Sequence, residues 1–442
     1  MSKKIIVAGA GHGGIAAGAI LAKNGYDVTV YEKQKRKDMG YDWTDIFDRK
    51  GFTAMGMDIP DSSLWSLKND MTFFGPGMKT ALRQKTPEDK LEIQMERKVL
   101  YDCLISYAEE CGVRFEFGKE IEAPLMLGSR VAGIKIGKKD IFADLVIDAC
   151  GINSPVRSKL PAHLGIQKDA QKYERFYVWR GFYEKTDCGE VEDKFKVLLF
   201  HRGKLGISWV AAEEEYTDIL IGRFEKFDDE EVEETLEALR AENPHLGKKL
   251  VRGGEFVEIP VRQSLGVLVA DGYAAIGDSA FMTVPIIGSG IANSMKAGAL
   301  LANAVIDDRT DSYSGTTLWK YQKDYYEKIG AGLVPFACIK LLLTRLECDE
   351  LDYIFEKGIL NARDMTAGMV SPNLIEVFKG VTAADIKIKA DGLINNTDVL
   401  KKVIRLGAEI AAATAVTAAM PKEYNLKKVC AWADKYNDCF KR

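Results

Sequence analysis

The sequence predicts an α/β fold with three parts: a discontinuous domain built on a parallel sheet, an α+β domain built on an antiparallel sheet, and a helical C-terminal region. Three observations predict it. A glycine-rich turn joins two strands near the start of the chain, the fully apolar run at residues 145–147 is typical of a strand covered on both faces, and another buried strand follows at residues 273–276. Alternating apolar and polar residues between 176 and 260 indicate the antiparallel sheet.

These patterns divide the 442 residues into four segments. Residues 1–175 are the first part of the parallel-sheet domain, and residues 176–262 are the antiparallel domain. Residues 263–313 are the second part of the parallel-sheet domain, and residues 314–442 are the helical region. The predicted strands of the two domains lie at residues 4–8, 28–32, 113–117, 130–136, 141–142, 145–147, 177–183, 196–201, 206–210, 218–224 and 273–276. The predicted helices lie at residues 15–21, 91–111, 229–239, 291–306, 318–329, 336–346, 373–379, 398–419 and 426–440.

Composition indicates which classes of partner and which cellular compartment to expect. With 47% hydrophobic and 29% charged residues and a net charge of −4, the chain has no basic excess of the kind that nucleic acid requires. Eight cysteines and four histidines show no metal-ligand spacing, so we expect reduced cysteines, no metal site and a cytoplasmic location. The apolar start contains five glycines and leads directly into a strand, which argues against a signal peptide. Apolar runs at residues 333–343 and 406–420 are too short to cross a membrane, so we interpret them as core or a dimer face, although peripheral membrane contact stays open. We expect a monomer or a homodimer.

The first motif, GAGHGG at residues 9–14, predicts a dinucleotide site. Gly9 permits the tight turn, Gly11 lets the backbone approach a pyrophosphate, and Gly14 lets the following helix pack on the strand. Glu32 ends the second strand and is placed to accept hydrogen bonds from an adenosine ribose. The basic stretch after Glu32 is interpreted as a solvated loop.

The second motif, GDSAFMTVPIIGSG at residues 277–290, is followed by a helix of small residues. It closely resembles the flavin-closing motif of the family that includes para-hydroxybenzoate hydroxylase and the geranylgeranyl reductases. The resemblance implies that Asp278 binds the ribityl hydroxyls of FAD and that Pro285 forms a wall beside the flavin ring. It also implies that Gly288 and Gly290 allow close approach, and that the following helix directs its positive end at the ring.

Two further segments fit this resemblance, which covers residues 3–310. MERKVL at residues 95–100 resembles the position where these flavoproteins place an arginine near FAD, which implies that role for Arg97; the alternative is a surface arginine. DLVIDACGINSPVR at residues 144–157 resembles the family's middle motif. Cys150 stands where the aromatic hydroxylases carry an aspartate, so their mode of NADPH use is not implied; we interpret Cys150 as structural. The resulting form is closer to prenyl reductases and lycopene cyclases.

The full set of candidate FAD-binding residues is Gly9, Gly11, Gly13, Gly14, Glu32, Lys33, Arg97, Gly277, Asp278, Pro285, Gly288, Gly290 and Ile291. The candidates for an apolar substrate pocket are Trp209, Trp179, Tyr177, Phe200 and Arg180, with ordinary core packing as the alternative. Trp209 lies in GISWVAA at residues 206–212, where geranylgeranyl reductases carry a Tyr-x-Trp-x-Phe-Pro motif of which only the tryptophan is present. The sequence singles out no catalytic acid, base or nucleophile, as expected when the chemistry belongs to the cofactor.

We therefore predict an FAD-dependent oxidoreductase that acts on an apolar small molecule. The Asp-Ala-Cys-Gly form favours reduction of a double bond, as in the geranylgeranyl reductases. The leading alternative is an aromatic or polyketide monooxygenase, followed by a non-redox cyclase and by a halogenase, whose Trp-x-Trp-x-Ile-Pro signature is missing. The electron donor stays open among NADPH, NADH, ferredoxin and another flavoprotein.

Overall fold

The computed structural model describes residues 3–187, 189–370, 377 and 381–441. The strands, in chain order, are β1 (Lys4–Ala8), β2 (Asp27–Glu32), β3 (Thr44–Phe47), β4 (Ser66–Leu67), β5 (Thr72–Phe74), β6 (Ala81–Arg83), β7 (Ile93–Glu96), β8 (Arg114–Phe117), β9 (Ala123–Leu127), β10 (Arg130–Ile136), β11 (Lys139–Phe142), β12 (Leu145–Asp148), β13 (Arg175–Lys185), β14 (Phe195–Leu199), β15 (Gly206–Ala212), β16 (Tyr216–Arg223), β17 (Leu246–Pro260), β18 (Val269–Ala270) and β19 (Tyr273–Ala275). The helices are α1 (His12–Lys23), α2 (Lys50–Ala54), α3 (Arg97–Glu110), α4 (Asp229–Glu242), α5 (Ile291–Ile306), α6 (Gly315–Tyr325), α7 (Ala331–Leu343), α8 (Cys348–Glu356), α9 (Ala362–Val370), α10 (Ala383–Ile394), α11 (Thr397–Ala418) and α12 (Leu426–Asp438).

The first large sheet has six strands in the order β18-β19-β12-β1-β2-β8. All its pairs are parallel except β18 with β19. The central strands β1 and β12 are buried along nearly their whole length, as the apolar runs predict. The last two strands come from residues 269–275 and lie beside β12, so the predicted discontinuous Rossmann-like domain is confirmed.

Helices α1 and α5 pack closely beside this sheet because small residues face each other. A Cβ atom on Gly298 of α5 would lie 2.6 Å from the carbonyl oxygen of Gly13 on α1, so only glycine fits there. Helix α5 occupies the predicted residues 291–306. This packing holds the two glycine-rich turns of the sequence side by side.

The second large sheet has seven strands in the order β17-β13-β16-β15-β14-β5-β6 and is antiparallel except for the pair β14 with β5. The predicted strands of residues 177–224 are all present, and α4 starts after its Asp228 cap. Sequence reasoning missed β17, whose alternation is interrupted by Gly253 and Gly254 at φ +76° and +84°. It also missed β5 and β6, which lie in the sheet although their residues fall within the segment 1–175; the segment boundaries themselves stay a prediction.

Smaller elements complete the fold. Strands β9 to β11 form a three-stranded sheet, and β3, β7 and β4 form another. Strand β3 and helix α2, which follow the basic stretch after Glu32, were not predicted. Residues 93–96 of the helix predicted at 91–111 form β7 instead.

The C-terminal region is helical, as predicted. Helix α6 continues through a π-helical turn at Tyr326–Gly330 into α7, and α11 and α12 match their predicted positions within two residues at each end. Helices α8, α9 and α10 are short and were not predicted, and the predicted helix at residues 373–379 lies outside the described residues except at residue 377. Across the described ranges, none of the helices has the length and apolar character needed to span a membrane.

Candidate functional site

A cleft with a cavity of about 430 Å³ lies between the two large sheets. On the side of the six-stranded sheet it is lined by residues 10–13, 32–34, 149–151 and 276–278, which directly follow β1, β2, β12 and β19. The cleft therefore lies at the carboxyl edge of the parallel strands, where open α/β sheets bind ligands. Its volume is within the range of small-molecule sites.

The first glycine-rich turn forms one end of this cleft. Gly9 has φ +83°, and a Cβ atom on Gly11 would lie 2.8 Å from the carbonyl oxygen of Ala149. A Cβ on Gly14 would lie 2.7 Å from Val7 Cγ1, so Gly14 brings α1 against β1, as predicted. Gly11 and Gly13 line the cleft at the start of α1, whereas Gly9 and Gly14 shape the turn from behind. The backbone can thus come close to a pyrophosphate at the positive end of a helix.

Glu32 lies where the motif predicts a ribose-binding acid. Its Oε2 accepts a hydrogen bond from the Ala10 backbone N–H at 2.9 Å, and its Oε1 accepts one from the Gln34 N–H at 2.8 Å. These bonds hold the carboxylate at the wall of the cleft, which Lys33 also lines. A carboxylate fixed in this way is suited to bind two hydroxyl groups of a ribose.

The second glycine-rich turn forms the wall opposite the first. Gly277 and Gly288 have φ +62° and +74°, and helix α5 begins after Gly290 without a side-chain cap. Residues 287–291, including Ile291, line the cleft. The unpaired N–H groups at the start of α5 therefore face it. Pro285 is a correction to the predicted wall, because its side chain is buried behind this turn and does not line the cleft.

Asp278 lies between the two turns. Neither of its carboxylate oxygens accepts a hydrogen bond from any residue that the structure describes, although the side chain lines the cleft. Burial raises the pKa of Asp278, and the charges of Arg97 and Arg157 oppose that rise. A carboxylate without protein donors beside a cleft can accept hydrogen bonds from the hydroxyl groups of a ligand, so the site fits the ribityl chain of FAD.

Arg97 also lines the cleft, so it is not merely a surface arginine. Its guanidinium forms a two-fold ion pair with Asp45, with Nη2 to Oδ1 at 2.6 Å and Nε to Oδ2 at 2.9 Å. The guanidinium carbon lies 4.5 Å from the centre of the Tyr41 ring. These contacts fix the guanidinium in the lining of the cleft, with its charge paired to that of Asp45.

The middle motif supports the site from below. The fully buried carboxylate of Asp148 accepts hydrogen bonds from Ser154 Oγ at 2.6 Å, Tyr273 Oη at 2.9 Å and Ser279 Oγ at 3.0 Å. It therefore joins the middle motif to the second turn. Cys150 lines the cleft, and burial followed by the charge of Asp148 raises the pKa of its thiol well above the ordinary value, so the thiol is protonated at neutral pH.

The opposite wall of the cleft is a face of the seven-stranded sheet. Because successive side chains of a strand point to opposite faces, alternate residues contribute, except on β17, where Glu258 lines the cleft as well as its two neighbours. The apolar lining residues of this wall are Phe176, Val178, Ile207, Trp209, Leu220, Val257 and Ile259. Met71 and Met369 line the cleft as well, so the helical region contributes to it through α9.

Three of the predicted pocket residues do not line the cleft, which corrects that prediction. Trp179 and Tyr177 alternate with Val178 and point to the other face, where Trp179 packs with Val232 of α4. Phe200 lies in a separate core cluster after β14. The prediction treated aromatic residues on both faces of the strands alike, although the period of two separates them. A larger groove of about 730 Å³ on that other face is open, and the glycine-rich turns do not reach it.

Trp209 and Arg180 do line the cleft, as predicted. Arg180 is buried and donates to both carboxylate oxygens of Asp218, at 2.9 and 2.6 Å, and to the Thr44 carbonyl oxygen at 2.6 Å. Its guanidinium carbon lies 4.9 Å from the Trp209 ring centre and 5.6 Å from that of Trp43. Arg180 is therefore neutralised and structural, and the wall around it is apolar.

Sequence reasoning missed five aromatic residues of the cleft: Phe176 on the sheet wall, and His12, Tyr41, Trp43 and Tyr101. His12 stacks on Tyr101 with ring centres 4.9 Å apart. Burial, and next the charge of Arg97, lower the pKa of His12 to about 4. These residues are far apart in sequence, and only the position of His12 inside GAGHGG could have drawn attention to it.

Known proteins share this arrangement. A family model described as an NAD(P)-binding Rossmann-like domain matches residues 7–59. A digeranylgeranylglycerophospholipid reductase of Haloferax volcanii is 24% identical over 383 residues, which cover 80% of this chain and 88% of that protein. One of Sulfolobus acidocaldarius is 21% identical over 385 residues, 82% of each chain. The crystal structure of a geranylgeranyl bacteriochlorophyll reductase-like protein of Thermoplasma acidophilum aligns with a TM-score of 0.71 and 20% identity over 92% of this chain and 99% of that one.

The chain has the fold of the geranylgeranyl reductase-like flavoproteins. The resemblance predicted from the three motifs is thereby confirmed. The fold is shared more widely, since PqsL, a probable FAD-dependent monooxygenase of Pseudomonas aeruginosa, aligns with a TM-score of 0.57 and 18% identity over 78% of this chain and 97% of that one. The likeness to the Thermoplasma protein covers too much of the chain to end at residue 310, so the helical region belongs to it, contrary to the sequence-based limit.

Proposed function

We propose that the protein is an FAD-dependent reductase that saturates double bonds in the prenyl chains of a lipid. One observation carries the proposal: a single cleft joins the two glycine-rich turns and Asp278 to an apolar face of the seven-stranded sheet. A cofactor held by the turns would have its ring beside an apolar chamber. The relatives named digeranylgeranylglycerophospholipid reductases support the choice of a prenyl lipid as substrate.

The roles toward FAD follow from the positions of the residues. Glu32 would bind the adenosine ribose, and the backbone at Gly11 and Gly13 would accommodate the pyrophosphate. Asp278 would accept hydrogen bonds from the ribityl hydroxyls, and Arg97 would contribute positive charge nearby. The start of α5 would favour negative charge on the reduced ring. When bound, the flavin supplies the hydride for reduction of the double bond.

The sheet wall would bind the chain of the substrate and exclude water. Residues such as Val178, Leu220 and Val257 offer branched aliphatic side chains that pack against isoprene units without any directional bond. Two ion pairs hold the charged groups of this wall, Arg180 with Asp218 and Glu258 with Arg175, each at 2.6 Å. An apolar chain is therefore accommodated, whereas a charged aromatic acid would lose hydration without gaining a partner.

A single-turnover experiment tests this function. The FAD-loaded protein is reduced with dithionite under anaerobic conditions and mixed with a geranylgeranylated glycerolipid, and the lipid is analysed by mass spectrometry. We expect the flavin to be reoxidised while each reacting double bond gains two hydrogen atoms. Unchanged lipid with reduced flavin would contradict the proposal.

Mixing the reduced, FAD-loaded protein with isotopically labelled dioxygen distinguishes a reductase from the alternative, a monooxygenase. A monooxygenase transfers one labelled oxygen atom to an aromatic or lipid substrate, and a reductase transfers none. Incorporation of the label would replace our proposal by the monooxygenase function that PqsL-like neighbours suggest. A cyclase would change the lipid without a net change in flavin oxidation state.

The remaining assignments are also proposals. We propose that NADPH or NADH acts as a transient electron donor, which anaerobic mixing of each nucleotide with the oxidised protein tests through loss of the flavin absorbance. We further propose a cytoplasmic monomer or homodimer, which light scattering after gel filtration distinguishes.

A further inference from the structure

A short segment crosses the cleft and is tied to both of its sides. We call residues 40–45 the strap. At one end Asp45 pairs with Arg97 at the start of α3, at 2.6 Å. In the middle Asp42 accepts hydrogen bonds from Arg252 Nη1 at 3.0 Å and from the Gly253 N–H at 3.2 Å, both on β17. The strap is therefore held by carboxylate–arginine pairs to the nucleotide side and to the sheet wall.

The strap places two aromatic rings in the cleft. Tyr41 and Trp43 both line it, with ring centres 5.5 Å apart in an edge-to-face arrangement. Gly40 permits the close approach to α3, because it has φ +81° and a Cβ there would lie 2.9 Å from Arg97 Cγ. The Arg97 N–H donates to the Trp43 carbonyl oxygen at 2.8 Å. The direction of the rings is thus fixed by backbone contacts as well as by the ion pairs.

Packing contacts show which end of the cleft Tyr41 occupies. Tyr41 packs against the apolar cluster of Trp43, Val178, Phe182 and Leu220, which Ile259 of β17 also contacts. A Cβ atom on Gly288 of the second turn would lie 3.4 Å from Ile259 Cγ2. The ring of Tyr101, by contrast, stacks on His12 of the first turn. Tyr41 therefore lies toward the apolar wall and the second turn, where the proposed function puts the flavin ring rather than the adenosine.

We propose that Tyr41 packs against the flavin ring of bound FAD and positions it between the strap and the apolar wall. The inference rests on the proposed function, since it needs FAD in this cleft. Aromatic rings gain from offset or edge contact with one another, and the two anchored carboxylates prevent the strap from turning away. Tyr41 is in this account a positioning residue, and the chemistry stays with the flavin.

The fluorescence decay of bound FAD tests this contact directly. An excited flavin takes an electron from a tyrosine or tryptophan ring in van der Waals contact, and the electron returns to that ring, so the emission is lost; phenylalanine is not oxidised in this way. We expect a dominant picosecond decay in the native protein. Trp43 also lines the cleft and can quench the flavin, so all the proteins compared carry W43F. In that background Y41F keeps the ring but should lose this component and gain several-fold in emission, and Y41W should restore the quenching.

Y353F is the matched control, because Tyr353 lies on α8 and its hydroxyl bonds to the Gly392 carbonyl oxygen at 2.7 Å, away from the lining of the cleft. Its decay in the W43F background should equal that of W43F alone. If Y41F in that background binds FAD and decays like W43F alone, Tyr41 does not contact the ring and the inference is overturned while the proposed function stands. If the native protein binds no FAD, the proposed function is overturned and this inference with it.

Discussion

The two sides of the cleft present different chemical groups. On the side of the six-stranded sheet the ligand meets backbone at Gly11, Gly13 and Gly288, together with two acids, Glu32 and Asp278. On the side of the seven-stranded sheet it meets alternate side chains of long strands. The difference indicates that the first side recognises the constant part of a cofactor, whereas the second can change its shape and chemistry with each side chain.

The largest effect on FAD binding is expected from a substitution in the first glycine-rich turn, where backbone forms the wall. G11V should abolish detectable FAD binding, because even a Cβ at this position would lie 2.8 Å from the Ala149 carbonyl oxygen and would displace the turn. The measurement is titration with FAD followed by absorbance and calorimetry. Circular dichroism verifies that the variant is folded.

G407A is the matched control for a glycine replacement. Gly407 lies in α11 with open space around a Cβ, so the variant should bind FAD normally and gain about 0.5–1 kcal/mol in stability. Normal FAD binding by G11V would show that the first turn does not contact the cofactor.

The next largest effect is expected in the side-chain wall. R180A leaves the buried Asp218 carboxylate without its partner, so the free energy of unfolding should fall by about 3–5 kcal/mol, measured by urea denaturation. K135A, which removes an exposed pair with Asp140, should cost at most about 1 kcal/mol. Equal losses in both variants would contradict a structural role for the Arg180 pair.

The contrast between the two sides also explains what could be predicted from the sequence. Gly9, Gly14 and Asp278 were found because backbone conformation and close approach demand particular residues at fixed spacing. Trp179 and Phe200 were assigned wrongly to the pocket, since which face a side chain takes depends on strand phase and on the partner layer.

The remaining features depend on contacts between residues far apart in the chain, which sequence patterns do not reveal. Strand β17 was missed because its glycine bulges break the alternation, and β5 joins the distant sheet through a parallel pair that no local pattern reveals. Tyr41 reaches the cleft only through contacts with Arg97 and Arg252 that are remote in sequence. The resemblance placed Pro285 beside the flavin ring, whereas Pro285 does not line the cleft.

His12 is a side chain within the backbone-built turn, and its titration sharpens the comparison. Its folded pKa of about 4 lies below the ordinary 6.5, so the unfolded state binds a proton first as the pH falls. Stability without FAD should be greatest above pH 6.5 and should fall by about 1–3 kcal/mol toward pH 4. In denaturation experiments H12F should reduce the slope of the free energy of unfolding against pH. His201, whose pKa burial also lowers to about 4, retains part of the slope.

If H12F and the native protein lose stability equally between pH 6.5 and 4, the pKa of His12 is not lowered in the folded protein.

The smallest effect is expected for single contacts of the chamber. Val257 and Phe256 are neighbours on β17, but Val257 lines the cleft and Phe256 packs on Phe227 at the other face. V257A removes two methyl groups that a bound chain would cover and should raise KM for a prenyl lipid by about 3- to 15-fold with unchanged FAD affinity. F256A should leave KM unchanged. The opposite ranking in steady-state kinetics would place the substrate on the other face.

The central claim is that the cleft between the two sheets binds FAD through Asp278. Titration of the purified protein with FAD, beside D278A and the surface control D140N, tests it most directly. The account predicts that the native protein and D140N bind one FAD per chain, and that D278A binds it at least about 10-fold more weakly because hydrogen bonds to a charged group are lost. Equal affinity in all three proteins, or no FAD binding by the native chain, would contradict it.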